Sequence, residues 1–379
     1  MIDKLIKILI VELIIIILLV VAISFNSFPV IDTIKDTIKN FDYVDDYISN
    51  SDNDKNNYEE SKTNENEYLF ETIRNGLLEG HESINIPREL LNDNVDNFFD
   101  IVKEVILDTP EILYYSGGKY SNSIFLPKYS KSVEEKQNHQ KIIRSKRDKI
   151  ISQKINSNMS EYEIVKTIHD YIVNNTRYDT RHFSIGKVPD ESYNVYGVLI
   201  EGIAVCEGYA KTMKYLLDKA GIENYIVLGT ANGENHAWNI VNIEEDYYHV
   251  DVTWDDPVSD DGSNILIYDY FNLKDEDIEK THSWNKEEYP KCNSDKYNYY
   301  NFNKLIVYNY EELYDRIFWA LVDNKEEITF KIIDFDEKIY DIPSVINEIA
   351  INNPNIINTS KYSYSVNTFQ GIIRICFLK

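Results

Sequence analysis

The sequence predicts an α+β fold in which a central domain lies between two small α/β modules. Two observations in the central domain indicate this class: an amphipathic helix is predicted to begin at Cys206 and end at Gly221, and an antiparallel hairpin is predicted to follow it. A third observation comes from the flanking regions, where helical and β segments alternate in the same order. With 379 residues, the chain is long enough for two or three domains.

The composition excludes some classes of function. The chain has 39 Lys and Arg residues against 64 Asp and Glu residues, so its formal charge is −25. Because nucleic-acid binding depends on neutralising phosphates, no nucleic acid is expected as a partner. Hydrophobic residues make up 43% of the chain and aromatic residues 13%, which is too much apolar material for a wholly disordered protein.

The chain contains three cysteines, Cys206, Cys292 and Cys376. Three are too few for a disulfide framework, and their spacing matches no zinc site, so the sequence predicts neither a metal nor another cofactor. Cys292 and Cys376 could pair in an oxidising compartment and leave Cys206 free, or all three could remain thiols. The sequence leaves both arrangements open.

Residues 1–25 contain the only segment apolar enough to enter a membrane. The apolar run over residues 8–25 is interrupted only by Glu12, and two lysines precede it. Two interpretations remain open, a retained membrane anchor and a cleaved signal sequence, and we favour the anchor because both lysines precede the run. In either case the rest of the chain is expected to be extracytoplasmic, with residues 26–67 as a disordered linker.

The flanking modules, residues 68–130 and 302–379, are predicted to be two copies of one repeat. At an offset of 244 residues their apolar positions coincide without a gap, and Pro110 aligns with Pro354. Each copy is predicted to contain a helix, a short strand, a second helix and a closing β segment. Neither copy carries a recognisable catalytic cluster, so a binding or scaffolding role is expected for both.

The central domain is predicted to span residues 131–301 and to begin with two helices. The first is a basic stretch with isoleucines at helical spacing, and Ser160 followed by Glu163 is the capping-box pattern that starts the second. This second helix is expected to run from Glu161 to about Asn175. His169, which lies inside it, is expected to pack in the core rather than to act in catalysis.

Cys206 is a candidate nucleophile because it lies in the first turn of a predicted helix. The unpaired backbone N–H groups and the dipole at a helix N-terminus favour the thiolate over the thiol. For this residue taken in isolation, a buried structural cysteine would be the more common interpretation. The segments that follow in the sequence decide between the two.

Two predicted strands place a histidine and an aspartate beside each other. If Ile243 pairs with Asp246 across a two-residue turn, His236 on the first strand and Asp251 on the second become diagonal neighbours on one face of the sheet. A thiol, an imidazole and a carboxylate can then converge. We therefore expect Cys206 to attack a substrate, His236 to transfer protons and Asp251 to orient the imidazole.

These residues lie in motifs that resemble the transglutaminase-like superfamily of papain-type thiol enzymes, in particular its bacterial extracytoplasmic branch. The motifs are Ala204-Val205-Cys206-Glu207-Gly208-Tyr209-Ala210, Asn235-His236-Ala237-Trp238-Asn239 and His249-Val250-Asp251-Val252-Thr253-Trp254-Asp255-Asp256-Pro257. The resemblance covers residues 130–301, which is less than half of the chain. It implies a papain/transglutaminase-like α+β core with Cys206, His236 and Asp251 as the catalytic triad.

The resemblance also implies the type of reaction. Members of this family form a thioester between their cysteine and a glutamine or other carboxamide, and then pass the acyl group to an amine or to water. We therefore expect acyl transfer on a protein or peptide substrate at the cell envelope, with a cell-wall component as a further candidate partner. Two alternatives stay open: a cysteine peptidase or amidase that hydrolyses the same bonds, and a non-catalytic envelope-binding scaffold.

Several neighbouring residues are candidates for supporting roles. Trp238, Trp254 and Tyr209 are expected to contact substrate or to shield the triad, and for the two tryptophans core packing is an equal alternative. His249 is expected to pack rather than to act as a second base. The acidic group within residues 255–261 lacks the glycine and the final glutamate of a calcium loop, so a solvated turn is expected there.

Overall fold

The structure is a computed structural model that describes residues 54–91, 98–181, 187–258, 265–354 and 361–378. The chain divides into two units, residues 1–64 and residues 65–379. The N-terminal segment that is predicted to meet the membrane lies outside the described residues. Among the residues that are described, no helix is both long and apolar enough to cross a membrane.

The first helix, α1, spans Asp54–Glu79 and differs from the sequence prediction. A disordered linker is predicted as far as Glu67, whereas the chain is helical from Asp54 onward. The segment is rich in glutamate, and its lysines and glutamates favour helix formation. Beyond it the helix continues with a completely buried apolar stripe of Leu69, Ile73 and Leu77.

The N-terminal module contains a three-stranded antiparallel sheet. Its elements are β1 (Ile84–Asn85), α2 (Phe98–Asp108), β2 (Tyr115–Ser121) and β3 (Ile124–Tyr129). Because β1 pairs with β3, the order of strands in the sheet is β1-β3-β2. The module has its own hydrophobic core, which joins α1, α2 and the sheet.

Three long helices belong to the central domain: α3 (Val133–Lys154), α4 (Glu161–Asn175) and α5 (Cys206–Ala220). The predicted capping box of α4 is confirmed, since Ser160 Oγ accepts from the Glu163 N–H and the Glu163 carboxylate accepts from the Ser160 N–H. Two short parallel strands, β4 (Arg177–Tyr178) and β5 (Ile203–Ala204), pair just before α5 begins. The helix α5 ends at Gly221, as predicted, with a φ of 80°.

A five-stranded antiparallel sheet forms the second layer of this domain. Its strands are β6 (Asn224–Ala231), β7 (Glu234–Ile243), β8 (Asp246–Val250), β9 (Phe271–Leu273) and β10 (His282–Trp284). The order in the sheet is β10-β6-β7-β8-β9. Two one-turn helices accompany it, α6 (Asp275–Ile278) and α7 (Tyr299–Phe302).

The helix α5 packs between the other helices and the sheet. It contacts α3 and α4 on one side and β6 and β7 on the other. Its inward side chains are almost completely buried: Tyr209, Ala210, Met213, Leu216 and Leu217. This packing follows from the helical spacing of the apolar residues, and it brings the first turn of α5 close to the start of β7. The α+β core that the sequence predicts, a nucleophile helix on an antiparallel sheet, is therefore confirmed.

The C-terminal module has the same order of elements as the N-terminal one, with one additional strand. Its elements are β11 (Ile306–Val307), α8 (Tyr310–Val322), β12 (Glu327–Ile332), α9 (Ile342–Asn352), β13 (Lys361–Asn367) and β14 (Ile372–Leu378). The strand order is β11-β12-β14-β13, so the strand after the first helix again pairs with the last strand of the hairpin. The helices α2 and α9 lie at the predicted offset, but common descent of the modules stays a prediction.

Candidate active site

Cys206 is the first residue of α5 and lines an open cleft. The preceding Val205 is extended, with φ of −99° and ψ of 174°, and turns the chain into the helix. Gly208 allows this first turn to approach the rest of the domain, because a Cβ there would lie 2.5 Å from the Ser192 carbonyl oxygen. The predicted position of Cys206 at a helix N-terminus is therefore confirmed.

The hairpin of β7 and β8 has the register that the sequence predicts. Ile243 pairs with Asp246, and the two residues between them, Glu244 and Glu245, have φ values of 52° and 70°. Positive φ at both central positions is typical of the two-residue turn whose twist matches that of the strands. The ladder continues to the end of β8, and Asp251 follows directly after it.

His236 and Asp251 form a hydrogen-bonded pair, as this register predicts. The His236 Nε2 and Asp251 Oδ2 atoms are 2.7 Å apart, and Asp251 is completely buried. Since an ionised carboxylate only accepts hydrogen bonds, Nε2 carries a proton, which leaves Nδ1 for the Cys206 thiol that the ring also contacts. The imidazole therefore lies between the thiol and the carboxylate.

The surroundings of this pair favour its charged form. Burial of the His236 ring lowers its pKa, but the charge of Asp251, its hydrogen bond and the contact with Cys206 outweigh burial and raise the pKa above the usual value. Burial also opposes ionisation of Asp251. The charge of His236 and hydrogen bonds from His236 and His282 nevertheless hold the pKa of this carboxyl well below its usual range.

Three further donors hold the Asp251 carboxylate. Its Oδ1 atom accepts from the backbone N–H groups of Thr253, at 3.0 Å, and Trp254, at 3.3 Å. Its Oδ2 atom, which faces His236, also lies 3.1 Å from His282 Nε2. Sequence reasoning missed His282 because β10 pairs with β6 across a long connection rather than through a hairpin, so no local pattern indicates the contact.

The cleft beside the Cys206 thiol has a volume of about 540 Å³. Its lining includes the aromatic side chain of Trp254 and two acidic side chains, Glu234 and Asp256. Burial raises the pKa of Asp256 to about 6, so this carboxyl is ionised above that pH. The cleft thus offers an aromatic surface and negative charge to a ligand.

Two of the predicted supporting residues do not reach this cleft. Tyr209 is completely buried, and its hydroxyl donates to the Asp256 carboxylate. Trp238 is 1% exposed and lies against the His236 ring, with ring centroids 6.0 Å apart. A substrate contact is therefore wrong for both, because their rings lie on the inward faces of α5 and β7. Trp238 covers His236, and of the three aromatic candidates Trp254 alone lines the cleft.

The two described aspartates of the acidic segment after Asp251 are buried, which corrects the expectation of a solvated turn for them. Asp255 is completely buried and lies 3.1 Å from His169 Nε2, and Asp256 is 6% exposed. Their hydrogen-bond donors come from distant parts of the chain and are therefore invisible to local sequence patterns. His169 is packed in the core, as predicted. The remainder of this segment, residues 259–264, lies outside the described residues.

Comparison with known proteins identifies one family. Residues 149–252 match the family model described as the transglutaminase-like superfamily, and this range contains Cys206, His236 and Asp251. The central domain therefore contains a segment that is similar to the transglutaminase-like superfamily. No curated protein matches the chain.

Two solved structures share weaker similarity with this chain. One is described as a TGase and has 18% identity, a TM-score of 0.27 and coverage of 36% of this chain and 43% of its own. The other is described as a candidate cysteine protease from Cytophaga hutchinsonii and has 20% identity, a TM-score of 0.24 and coverage of 29% of this chain and 37% of its own. The chain therefore spans less than half the length of either structure.

The transglutaminase-like domain contains a second group of cysteine, histidine and aspartate. His249 Nε2 and Asp275 Oδ1 are 2.9 Å apart, and the Cys292 backbone N–H donates to the same oxygen at 3.3 Å. The Trp238 indole N–H can only donate and bonds His249 Nδ1 at 3.0 Å, so the His249 proton lies on Nε2. Burial lowers the pKa of His249 and raises the pKa of the Cys292 thiol, so both groups are neutral.

All three cysteines are free thiols, so the disulfide that the sequence left open is not formed. Cys292 is buried in the transglutaminase-like domain, whereas Cys376 lies on β14 of the C-terminal module. Cys206 is the cysteine that lines the cleft with His236.

Within the part of the chain that the structure describes, two groups of side chains have potential metal-ligand atoms within 4.8 Å of one another: His236, Asp251 and His282, and His249, Asp275 and Cys292. In the first group both histidine Nε2 atoms lie at hydrogen-bond distance from one carboxylate oxygen. In the second group the bond from Trp238 places the proton of His249 on the nitrogen that would have to bind a metal. Hydrogen bonding therefore accounts for both arrangements.

Proposed function

We propose that this protein is a thiol acyltransferase that acts on protein or peptide amides through a Cys206 thioester. The observation that carries the proposal is the convergence of Cys206, His236 and Asp251 at an open cleft, with the imidazole between the other two groups. A buried group of the same residue types would have no access to substrate. The match to the transglutaminase-like superfamily supports the same chemistry.

In the first half-reaction, the Cys206 thiolate attacks the carbonyl carbon of a glutamine carboxamide or a peptide bond. The His236 imidazolium gives its Nδ1 proton to the departing nitrogen, so ammonia or an amine leaves and the acyl group remains on sulfur. Asp251 accepts the hydrogen bond from His236 Nε2–H throughout, and this bond keeps the ring oriented. The backbone N–H of Cys206, which has no acceptor within α5, is available for the developing oxyanion.

In the second half-reaction, a nucleophile attacks the thioester and the neutral imidazole accepts its proton. The acidic side chains of Glu234 and Asp256 at the cleft favour an amine that arrives as its ammonium ion, loses one proton to water and then attacks as the neutral amine. This preference is the reason to place acyl transfer first. The partial exposure of Cys206 favours a second candidate, hydrolysis, since water can reach the same thioester. Both candidates share the first half-reaction.

Product masses separate the two candidates. A glutamine-containing peptide is incubated with the full-length protein, with and without a primary amine. Acyl transfer predicts loss of ammonia together with gain of the amine, whereas hydrolysis predicts a deamidated or cleaved peptide even when the amine is present. Cys206→Ala is the inactive reference, and Cys376→Ala, which alters a thiol in another module, is the matched control.

The thiol itself is tested without any substrate. A cysteine-directed electrophile should modify Cys206 in the folded protein, and Cys206→Ala should lose this label while Cys376→Ala keeps it. Failure of Cys206 to react, combined with no turnover of any peptide, would support a binding scaffold and reject an enzyme.

We further propose that the protein works outside the cytoplasm, attached to the membrane by residues 1–25. The support comes from the sequence, in which an apolar run follows two lysines at the N-terminus. Protease treatment of intact cells should degrade the protein if it is extracytoplasmic. The N-terminal residue of the mature protein then distinguishes a retained anchor from a cleaved signal sequence.

A further inference from the structure

His282 and His236 share one oxygen of the Asp251 carboxylate. His236 Nε2 lies 2.7 Å and His282 Nε2 lies 3.1 Å from Asp251 Oδ2, while Oδ1 is occupied by two backbone N–H groups. The carboxylate therefore has four donors from three parts of the chain. Of these four, only His236 also contacts the thiol.

The fold holds His282 firmly in this position. Its residue is 3% exposed, and its Nδ1 atom lies 2.8 Å from the Thr281 hydroxyl, so both ring nitrogens have partners. The rings of Trp238 and Trp254 lie against it, with centroid distances of 4.9 and 4.6 Å. A ring fixed at both nitrogens and by two aromatic neighbours cannot reorient without disturbing the site.

The strand that carries His282 approaches closely because of a glycine. His282 pairs with Ala231 and Trp284 pairs with Gly229 in the antiparallel ladder of β10 and β6. A Cβ on Gly229 would lie 2.2 Å from the Ser283 carbonyl oxygen and 2.8 Å from the Trp238 ring. Only glycine at this position allows β10 to bring His282 against the buried carboxylate.

We propose that His282 is a positioning residue for the thiol site: it fixes the Asp251 carboxylate in the orientation that accepts the hydrogen bond from His236. The backbone donors determine where Oδ1 lies, and His282 determines where Oδ2 lies. With both oxygens fixed, the remaining acceptor position on Oδ2 faces the His236 ring. The proposal rests on the proposed thiol chemistry and adds to it a residue that does not line the cleft.

The consequence for His236 follows from geometry. Without the donor from His282, one acceptor position on the Asp251 carboxylate is buried without a hydrogen bond. Because this is unfavourable, the carboxylate rotates towards another donor. The imidazolium of His236 then loses part of its hydrogen bond and stabilises the Cys206 thiolate less well. Other titratable groups face these residues and are not altered in the variants: Tyr270 beside His282, Tyr178 and Glu234 at the cleft, and His249 beyond Trp238.

Three variants of the full-length protein test the role of the donor. His282→Phe keeps an aromatic ring but removes the donor, whereas His282→Gln keeps an N–H that can reach the carboxylate. His282→Met also removes the donor and takes the place of His282→Phe if that variant does not fold. Circular dichroism and titration of the reactive thiol establish the folded fraction, to which all rates are normalised.

The readout is the pH dependence of the alkylation of Cys206 by iodoacetamide. For the variant without the donor, we expect the rate at neutral pH to fall by about 10-fold or more, which is the usual effect of removing a group that orients a reactive side chain. The acidic limb of the plot of alkylation rate against pH is expected to move to higher pH, because the imidazolium stabilises the Cys206 thiolate less. His282→Gln is expected to restore most of the rate. If His282 had only a structural role, its replacement would change the folded fraction but not the pH at which the alkylation rate of Cys206 rises.

Two outcomes would overturn the proposal. An unchanged pH profile would show that the donor from His282 has no influence on the thiol. A limb that moves to lower pH would show that His282 competes with His236 for the carboxylate instead of positioning it. Peptide turnover by the wild-type protein is a separate measurement: if Cys206 is alkylated but no peptide reacts, the proposed function fails while the test of His282 still stands.

With an active substrate, the kinetic constants provide a second check. Because His282 does not line the cleft, loss of its donor should lower kcat and leave KM unchanged. A rise in KM at constant kcat would contradict the assignment.

Discussion

The central domain contains two groups of the same three residue types. The histidine is charged in one group and neutral in the other. In one, Cys206, His236 and Asp251 meet at the cleft, and in the other, His249, Asp275 and Cys292 meet away from its lining. The histidine-to-carboxylate distances are similar, 2.7 Å and 2.9 Å. Residue types and this one distance therefore do not define a thiol enzyme site.

The difference lies in the second nitrogen of each imidazole and in access to the thiol. His236 Nε2 is bound to its carboxylate, and Nδ1 is left for the Cys206 thiol at the N-terminus of α5. In His249, by contrast, Nδ1 is occupied by the Trp238 indole. Cys292 is 1% exposed, and burial raises the pKa of its thiol, so it stays protonated and packed.

Replacing each cysteine in turn gives the largest expected contrast. Cys206→Ala should lower kcat/KM by ~10³-fold or more, because no other group can form the thioester. Cys292→Ala should leave kcat/KM near the wild-type value and lower the free energy of unfolding by about 1 kcal/mol through lost packing. Steady-state kinetics and urea denaturation measure the two effects, and an inactive but folded Cys292→Ala would show that the second group also supports catalysis.

Replacing the aspartate of each group should likewise have different effects on activity. Asp251→Asn removes the charge that supports the His236 imidazolium and should lower kcat by about 10² to 10⁴-fold. Asp275→Asn disturbs a neutral histidine away from the cleft, so kcat should change little while the free energy of unfolding falls by about 1–3 kcal/mol. Equal loss of activity in both variants would mean that the second group also takes part in catalysis.

The pH dependence of kcat/KM is a further difference expected between the two groups. The pKa of His236 is raised by its carboxylate, so the active imidazolium persists at neutral pH and is lost only as pH rises through that raised pKa. The alkaline limb of kcat/KM is therefore expected well above the ordinary histidine value of about 6.5. Asp251→Asn should move this limb to lower pH, whereas Asp275→Asn should leave it in place. A wild-type limb near the ordinary value would contradict the charged pair.

The smallest effect is expected from Trp238→Phe. The change removes the indole donor to His249 Nδ1 but keeps an aromatic ring beside His236. Loss of one buried hydrogen bond should lower the free energy of unfolding by about 1 kcal/mol. Thermal denaturation measures the loss, and Tyr209→Phe, which removes only the hydroxyl that bonds Asp256, is the control for loss of a buried hydrogen bond without loss of ring volume. No change in stability would show that this bond does not hold His249.

Local patterns predicted much of the fold and the three side chains of the candidate site. The capping box at Ser160 and Glu163 depends on residues three apart, and it forms as predicted. The register of β7 and β8 depends on a two-residue turn, and Ile243 pairs with Asp246 as predicted. In both cases the interacting residues are close in the chain, so the sequence pattern carries the information.

Contacts between distant segments were the ones that sequence reasoning missed. His282 reaches Asp251 only because β10 pairs with β6, and Asp255 is buried only because His169 on α4 lies beside it. The expected substrate contact of Tyr209 was wrong for the same reason. Helical spacing predicts that Tyr209 lies on the inward face of α5, but it does not predict that its hydroxyl bonds the Asp256 carboxylate.

Local sequence patterns identify the residues that can do chemistry: a cysteine at a helix N-terminus, and a histidine and an aspartate in one hairpin register. Long-range packing selects which of two similar groups is open to a ligand and which carboxylates are buried. The physical reason is that propensity, capping and register act over a few residues, whereas burial and the choice of hydrogen-bonding nitrogen depend on the packing of segments far apart in the chain.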